Sequence, residues 1–313
     1  DVLYGDRMHD AYEQKVRVLL GDDVLQELHR HSTASRKRRL HLLREALDRL
    51  PGGSIPFLQV FNLWRTDVAV LNLLRSAAVA GSAAQLLGAK RGDRLRLYQD
   101  SLFVKRVGDG PTHWHSDLAM APLDTNAFVT AWIPLQPVPP PNKGGSALVF
   151  AGGSHRDVAL PFWHGDPRVC EDLSGRGYTE HEPEAMAVGD VTFHHGWTLH
   201  FAPPNTGPTP RRALTASYFL DGALRLGGSA RQNDEDIESH TEWSRHVPPG
   251  KPARHALLPV VWPPEARDQG QRGDRVNTRL GRKYDGSRGS SRREPQPRRG
   301  GKRNLQRGVW RRE

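Results

Sequence analysis

The sequence has very little cysteine: Cys170 stands alone in 313 residues. That excludes an internal disulfide framework and a cysteine-built zinc site. Long apolar runs are missing as well, and no stretch approaches the roughly 18 residues that a membrane-spanning helix needs. The length suits one large domain or two modest ones, and it is enough to bury a core without covalent staples. What the chain does have is histidine, 15 residues of it, and a surplus of base, with 45 Lys+Arg against 35 Asp+Glu.

The surplus lies at one end. Residues 264–313 hold 16 Lys+Arg and 6 Asp+Glu, which accounts for the whole net charge of +10, so residues 1–263 are balanced. This tail is built from Arg, Gly, Ser and Pro with almost nothing apolar. It cannot offset the entropy of ordering, and the expectation is a disordered extension. Arg/Gly-rich segments do bind RNA electrostatically, which makes nucleic-acid or anion binding through the tail a secondary reading. Tyr284 and Trp310 are its only aromatics for base stacking, so a solvated extension is favoured. The expected division is a folded domain over 1–263 and a basic tail over 264–313. The first residue is Asp1 rather than Met, so an N-terminal targeting signal is not readable, and a cytoplasmic location is the expectation.

The first fifty residues read as helical. Leu40, Leu43, Leu47 and Leu50 recur at helical spacing, and Pro51-Gly52-Gly53 ends the run. Residues 67–74 and 77–87 predict further helices, with Thr66 and Ser76 as N-cap candidates and Gly88 at a C-terminal cap. From Arg94 the texture changes to short segments rich in β-branched and aromatic residues: 94–105, 127–135, 146–151, 190–195 and 213–220. The stretches between them, PVPPPNKGG and GWTLHFAPPNTGPTPRR, have loop compositions. Helices followed by many spaced strands predict a mainly β fold, a sandwich or barrel with helices packed on it.

Several histidines cluster: His113 with His115, then His194, His195 and His200. A His-x-Asp pair can offer one imidazole and one carboxylate to a metal, and a distant histidine completes the two-histidine, one-carboxylate face that leaves positions open on Fe(II). His-x-Asp occurs three times, at 115–117, 155–157 and 164–166. Context selects the first. HWHSD lies between the strands at 94–105 and 127–135, whereas 155–157 follows a Gly-Gly-Ser turn and 164–166 lies in an irregular stretch.

The ordered series RLYQDSLFVK, HWHSD, TAWIPL, GGSALVFAGGSH, GDVTFHHGWTLHFAPPN and RRALTASYF, from about Phe57 to Gly222, resembles the phytanoyl-CoA dioxygenase family. The resemblance implies a double-stranded β-helix, a jelly-roll or cupin-like core. It implies Fe(II) on His115, Asp117 and His200, with 2-oxoglutarate and O2 as co-substrates. It implies hydroxylation of a small-molecule substrate with release of succinate and CO2. A catalytically silent metal-binding module of the same fold is the competing class, and retention of all three ligands together with the arginine described next counts against it.

In that family an arginine stands eleven residues after the distal histidine, which here is Arg211. A dicarboxylate held by iron at one end needs a cation at the other, and arginine offers a planar fork. Strand alternation places Arg212 on the opposite face. Trp132 matches a family tryptophan beside the co-substrate, though a core aromatic is an equal reading. Gln99, Ser101 and Lys105 lie on the strand that passes the co-substrate, where a solvated strand face is the alternative. His113 reads as a surface histidine and His155 as a brace for its turn. One of His194 and His195 points inward, as a core histidine or a hydrogen-bond partner near the iron. Trp197 and Thr198 read as shaping their loop, and Cys170, in a polar loop beside two acids, as unreactive. Ser116 and Phe201 depart from the family pattern beside the ligands. Substrate choice is expected in the loops 155–185 and 221–250, which carry no readable code.

Overall fold

The computed structural model describes residues 2–31, 36–157, 177–227 and 240–264. The sequence readings for His164, Asp166, Cys170 and residues 265–313 lie outside these.

Three helices begin the chain: α1 (Val2–Leu20), α2 (Asp22–Arg30) and α3 (Arg36–Asp48). Gly21, at φ +92°, separates the first two in a conformation that favours glycine. Leu43 and Leu47, one turn apart on α3, are fully buried, while Leu40 and Leu50 pack at the margin of the same cluster. The leucine spacing therefore marks the buried stripe.

The next segment corrects two local expectations. Helix α4 (Val68–Leu74) is capped by Asp67 rather than Thr66. The Asp67 carboxylate accepts from the amides of Ala69 and Val70, whereas the Thr66 hydroxyl donates back to the Leu63 carbonyl. Residues 77–87 are not one α-helix: a π-helical turn, Ala77–Gly81, precedes α5 (Ser82–Leu86). Ser76 caps that turn as expected, and its carbonyl accepts from both Ala80 and Gly81. The wide turn seats Gly81 against the Trp262 indole, which would stand 3.2 Å from a Cβ at this position. Gly88, at φ +67°, ends α5, with paired bonds from Gly88 N to Gln85 O and Ala89 N to Ala84 O.

The strands are β1 (Leu58–Phe61), β2 (Leu95–Lys105), β3 (Thr112–His115), β4 (Leu123–Asp124), β5 (Phe128–Pro134), β6 (Val149–Gly152), β7 (Thr179–His181), β8 (Thr192–His195), β9 (His200–Ala202), β10 (Arg211–Leu220), β11 (Leu224–Arg225) and β12 (Val260–Trp262). The major sheet has the order β1-β2-β10-β5-β8, with β12 also on β2, and the second sheet has the order β3-β9-β6-β7. Pairing within both is antiparallel. From β2 to β10 the chain passes repeatedly from one sheet to the other, the winding of a double-stranded β-helix. Strand β9 lies in a stretch that composition assigns to loop. Its three residues between Gly and Pro segments are too few to show alternation.

A bulge explains a change of parity within β2. Gln99 pairs with Ser217 but Leu97 pairs with Tyr218, which leaves Tyr98 as the extra residue. Before it, Leu95 and Leu97 face the helical layer; after it, Leu102 and Val104 do. Gln99, Ser101 and Lys105 thereby turn to the interior between the sheets. Tyr98 itself packs with Phe128, Phe219 and Trp243 in a separate aromatic cluster.

Asp100, fully buried on the helical side of β2, accepts from the amides of Leu63 (3.0 Å) and Trp64 (3.1 Å). Asp100→Ala is expected to cost about 1–3 kcal/mol for each buried N–H that it orphans. A lower denaturation midpoint at unchanged m-value is the measurement that checks it.

Candidate active site

The inner face of the major sheet is unusually polar for a core. Cross-strand registers define its rows. Gln99, Ser217, Thr130 and His194 form one row, and Ser101, Thr215, Trp132 and Thr192 form the next. Lys105 and Arg211 pair beyond them at the end of the sheet. The Ser217 and Thr130 hydroxyls bond each other at 2.9 Å.

Opposite this face, the second sheet and the turn after β3 bring together three side chains that could hold a metal ion. His115 ends β3 and His200 begins β9, and the two are direct register partners. Their rings lie 4.2 Å apart between centroids. Asp117 follows on a short 3-10 turn, Asp117–Met120. Its Oδ1 stands 3.8 Å from His115 Nε2 and 3.6 Å from His200 Nε2. One donor atom from each of the three lies within 4.8 Å of the others.

Hydrogen bonds orient both rings. His115 Nδ1 lies 2.8 Å from the His113 carbonyl, and His200 Nδ1 lies 3.1 Å from the Thr198 carbonyl. A carbonyl can only accept, so each Nδ1 carries a proton and each Nε2 is the ring nitrogen that faces Asp117. Burial holds His200 well below the ordinary histidine range, and the charges of His115 and His194 reinforce this. Burial pushes the Asp117 carboxyl up, but His200, the hydrogen bond from His194 and the charge of His115 outweigh it and hold the group well below the carboxylate range. Two imidazoles that turn their Nε2 atoms inward and one carboxylate, all on one side of a point, would fit Fe(II) and leave its other side open.

His194 was legible only as one of two inward candidates. Its Nε2 lies 2.9 Å from Asp117 Oδ2. His195 instead bonds the Asn126 carbonyl, and its ring lies beside that of His155 at 5.3 Å. The pair 155–157 sits on a 3-10 turn, with Asp157 accepting from the Tyr178 hydroxyl. His113 is exposed.

The remaining sequence-derived residues fall on the inner face, with different degrees of engagement. Arg211 is buried, its guanidinium 5.3 Å above the Trp132 ring, and its Nε lacks a hydrogen-bond partner. Burial lowers its pKa to about 10. Arg212 is exposed and bonds Gln136. Lys105 is fully buried and donates to the Gly110 carbonyl. Burial, then the charge of Arg211, lowers its pKa to about 7 despite Asp109. The Ser101 hydroxyl accepts from Gln59 Nε2 at 3.1 Å. Gln99 Oε1 and Thr192 Oγ1 are buried without a partner. Orphaned polar atoms at Gln99, Thr192 and Arg211 on one face point to a polar occupant between the sheets.

Asn205 has no counterpart in the sequence reading. Its Nδ2 donates to the carbonyls of Lys105 and Thr209, and its Oδ1 accepts from Gly207 N. It ties the turn before β10 to the end of β2, where both cations sit. An asparagine inside PPNTG was the available signal, and turn composition absorbed it.

Comparison with known proteins agrees with this geometry. The family model described as Phytanoyl-CoA dioxygenase (PhyH) matches residues 7–213. A "probable alpha-ketoglutarate-dependent hypophosphite dioxygenase" of Stutzerimonas stutzeri is 28% identical over 173 residues, 53% of this chain and 58% of that protein. A methylphosphonate hydroxylase of Gimesia maris is 28% identical over 154 residues, 49% of this chain and 56% of that protein. The chain thus spans a little over half the length of these curated relatives. The crystal structure of SnoK, a non-heme alpha ketoglutarate dependent carbocyclase from nogalamycin biosynthesis, superposes with a TM-score of 0.54 at 24% identity, covering 75% of this chain and 87% of that one. The epimerase SnoN, in complex with Fe3+, alpha ketoglutarate and nogalamycin RO, gives 0.51 at 20% identity, over 70% and 86%. Both share the fold.

Proposed function

This chain belongs to the phytanoyl-CoA dioxygenase family of Fe(II)- and 2-oxoglutarate-dependent oxygenases, and from that premise we propose that it is a dioxygenase that hydroxylates a small molecule. The carrying observation is the pairing of an open two-histidine, one-carboxylate set with a buried arginine on the facing sheet. Bound Fe(II) and 2-oxoglutarate would supply the oxidising chemistry, in which substrate, 2-oxoglutarate and O2 give hydroxylated substrate, succinate and CO2, one oxygen atom going to the new hydroxyl and the other to succinate.

The chain's own residues bind and orient. His115, Asp117 and His200 hold the metal. Arg211 receives the distal carboxylate of 2-oxoglutarate, with Trp132 bracing the guanidinium from one face. Lys105 adds a second positive charge there, and Gln99 offers a free acceptor in the row that includes His194. Ser101 supports this wall through its bond with Gln59. The names of both curated relatives denote small phosphorus oxyanions. Hypophosphite and methylphosphonate are therefore the first candidates, ahead of an acyl-CoA. The catalytic domain on this reading is residues 1–263, and the basic segment 264–313 takes no part in the reaction.

The test is succinate formation from 2-oxoglutarate with Fe(II) and O2, measured across a panel of small molecules. Substrate-stimulated turnover that is lost in Asp117→Ala supports the reading. A protein that binds neither Fe(II) nor 2-oxoglutarate sinks it.

Lys105 gives a pH dependence. In the free protein its pKa is lowered to about 7, so above that pH it is largely neutral. A carboxylate bound nearby favours the charged form, so binding takes up a proton, and 2-oxoglutarate affinity is expected to fall as pH rises past 7. Calorimetry in two buffers of different ionisation enthalpy reads the proton uptake. Lys105→Met should abolish it.

A further inference from the structure

We propose that His194 is a positioning residue that keeps Asp117 a one-oxygen ligand and thereby preserves three open positions on the metal. The proposal rests on reading this site as an Fe(II)/2-oxoglutarate centre.

The two carboxylate oxygens of Asp117 have different tasks. Oδ1 faces the Nε2 atoms of His115 and His200, at 3.8 and 3.6 Å. Oδ2 lies 2.9 Å from His194 Nε2. An ionised carboxylate can only accept, so His194 donates from Nε2 and Oδ2 is held. Among the described residues no backbone amide bonds either oxygen. Asp117 begins a short 3-10 turn outside both sheets, and the terminal torsion of an aspartate is broad.

His194, by contrast, is fixed. Its side chain is 3% exposed, and its backbone is paired with Thr130 within the sheet. Its ring lies 4.3 Å from that of His200 and 5.3 Å from that of Phe150. The restraint on the carboxylate therefore comes from the facing sheet, across the site.

Coordination arithmetic gives this restraint its meaning. On a six-coordinate ion, two imidazoles and a one-oxygen carboxylate leave three positions. Chelation by a 2-oxo acid would take two of them and leave one for O2. A carboxylate that turned both oxygens to the ion would leave only two, and co-substrate chelation and O2 would then compete.

The test uses the full chain with His194→Leu, which removes the donor, and His194→Gln, whose amide N–H can still reach Oδ2. Co(II) affinity is measured by chelator competition, and the Co(II) absorption spectrum reports coordination number. Anaerobic titration of the Fe(II) protein with 2-oxoglutarate is followed by the visible charge-transfer band of the chelate. His194→Leu should retain Co(II) far better than Asp117→Ala does. Its Co(II) spectrum should differ from wild type before any 2-oxo acid is added, and its 2-oxoglutarate affinity should fall about ten- to a hundredfold. His194→Gln should recover most of both.

Wild-type spectrum and 2-oxoglutarate affinity in His194→Leu would overturn the proposal. Metal loss as large as that of Asp117→Ala in both variants would also overturn it, since His194 would then act as a ligand or as a fold element. Failure of the wild-type protein to bind Fe(II) would instead count against the oxygenase reading.

Discussion

His200→Ala is expected to abolish tight Fe(II) binding, and Asp117→Ala and His115→Ala should do the same. On the proposed reading each supplies one of three donor atoms among the described residues, so the loss should exceed the roughly ten- to hundredfold cost of disturbing an outer partner. Metal titration with chelator competition measures it. His155→Ala is the control, because its His-x-Asp pair sits on a separate turn, with Asp157 bonded to Tyr178. Full iron retention in the three ligand variants, with loss in His155→Ala, would show that the wrong pair had been assigned.

Arg211→Ala carries the second large effect. On the proposed reading, the distal carboxylate of 2-oxoglutarate then loses its forked partner in a buried site and keeps only the Lys105 ammonium nearby. Breaking such a pair costs about 3–5 kcal/mol. That corresponds to roughly a hundredfold to several-thousandfold in affinity at about 1.4 kcal/mol per decade. Metal affinity should survive, so the defect should appear only in the 2-oxoglutarate titration. Arg211→Lys should recover part of the loss, because charge remains while the fork is gone. Arg212→Ala should be near neutral, since its side chain is exposed and bonds only Gln136 among the described contacts. A large defect in Arg212→Ala with none in Arg211→Ala would contradict the assignment.

The fold class and the clustering of His115, Asp117 and His200 were legible because each left a local signature. The strands at 94–105, 127–135 and 213–220 are long enough for alternation to show, and HWHSD carries two ligands within three residues. Arg211 and Arg212 are separated by alternation alone, and the structure buries the first and exposes the second. Short elements were not legible. Strand β9 has three residues, and β3 is a polar run whose partner is 85 residues away in sequence, at His200. Tertiary demands decided the rest. The π-turn at Ala77–Gly81 answers to Trp262, a distant side chain that no local propensity encodes. The choice between His194 and His195 needed the position of Asp117, and the bonds made by Asn205 needed the ends of two strands brought together.

The extra residue at Tyr98 has a wider consequence. It works as a frameshift within β2: upstream, odd-numbered residues belong to the helical layer, and downstream, even-numbered ones do. One continuous strand thus spells two layers in two frames. Removing a single residue there would send Lys105 and Ser101 into the oily layer and bring Leu102 and Val104 to face the space between the sheets. Changes of length between Leu95 and Lys105 would therefore rewrite the site wholesale, while substitutions on either side of the bulge leave the other frame untouched. Variation in how the helices pack and variation in what the interior binds are in this way separated within eleven consecutive residues.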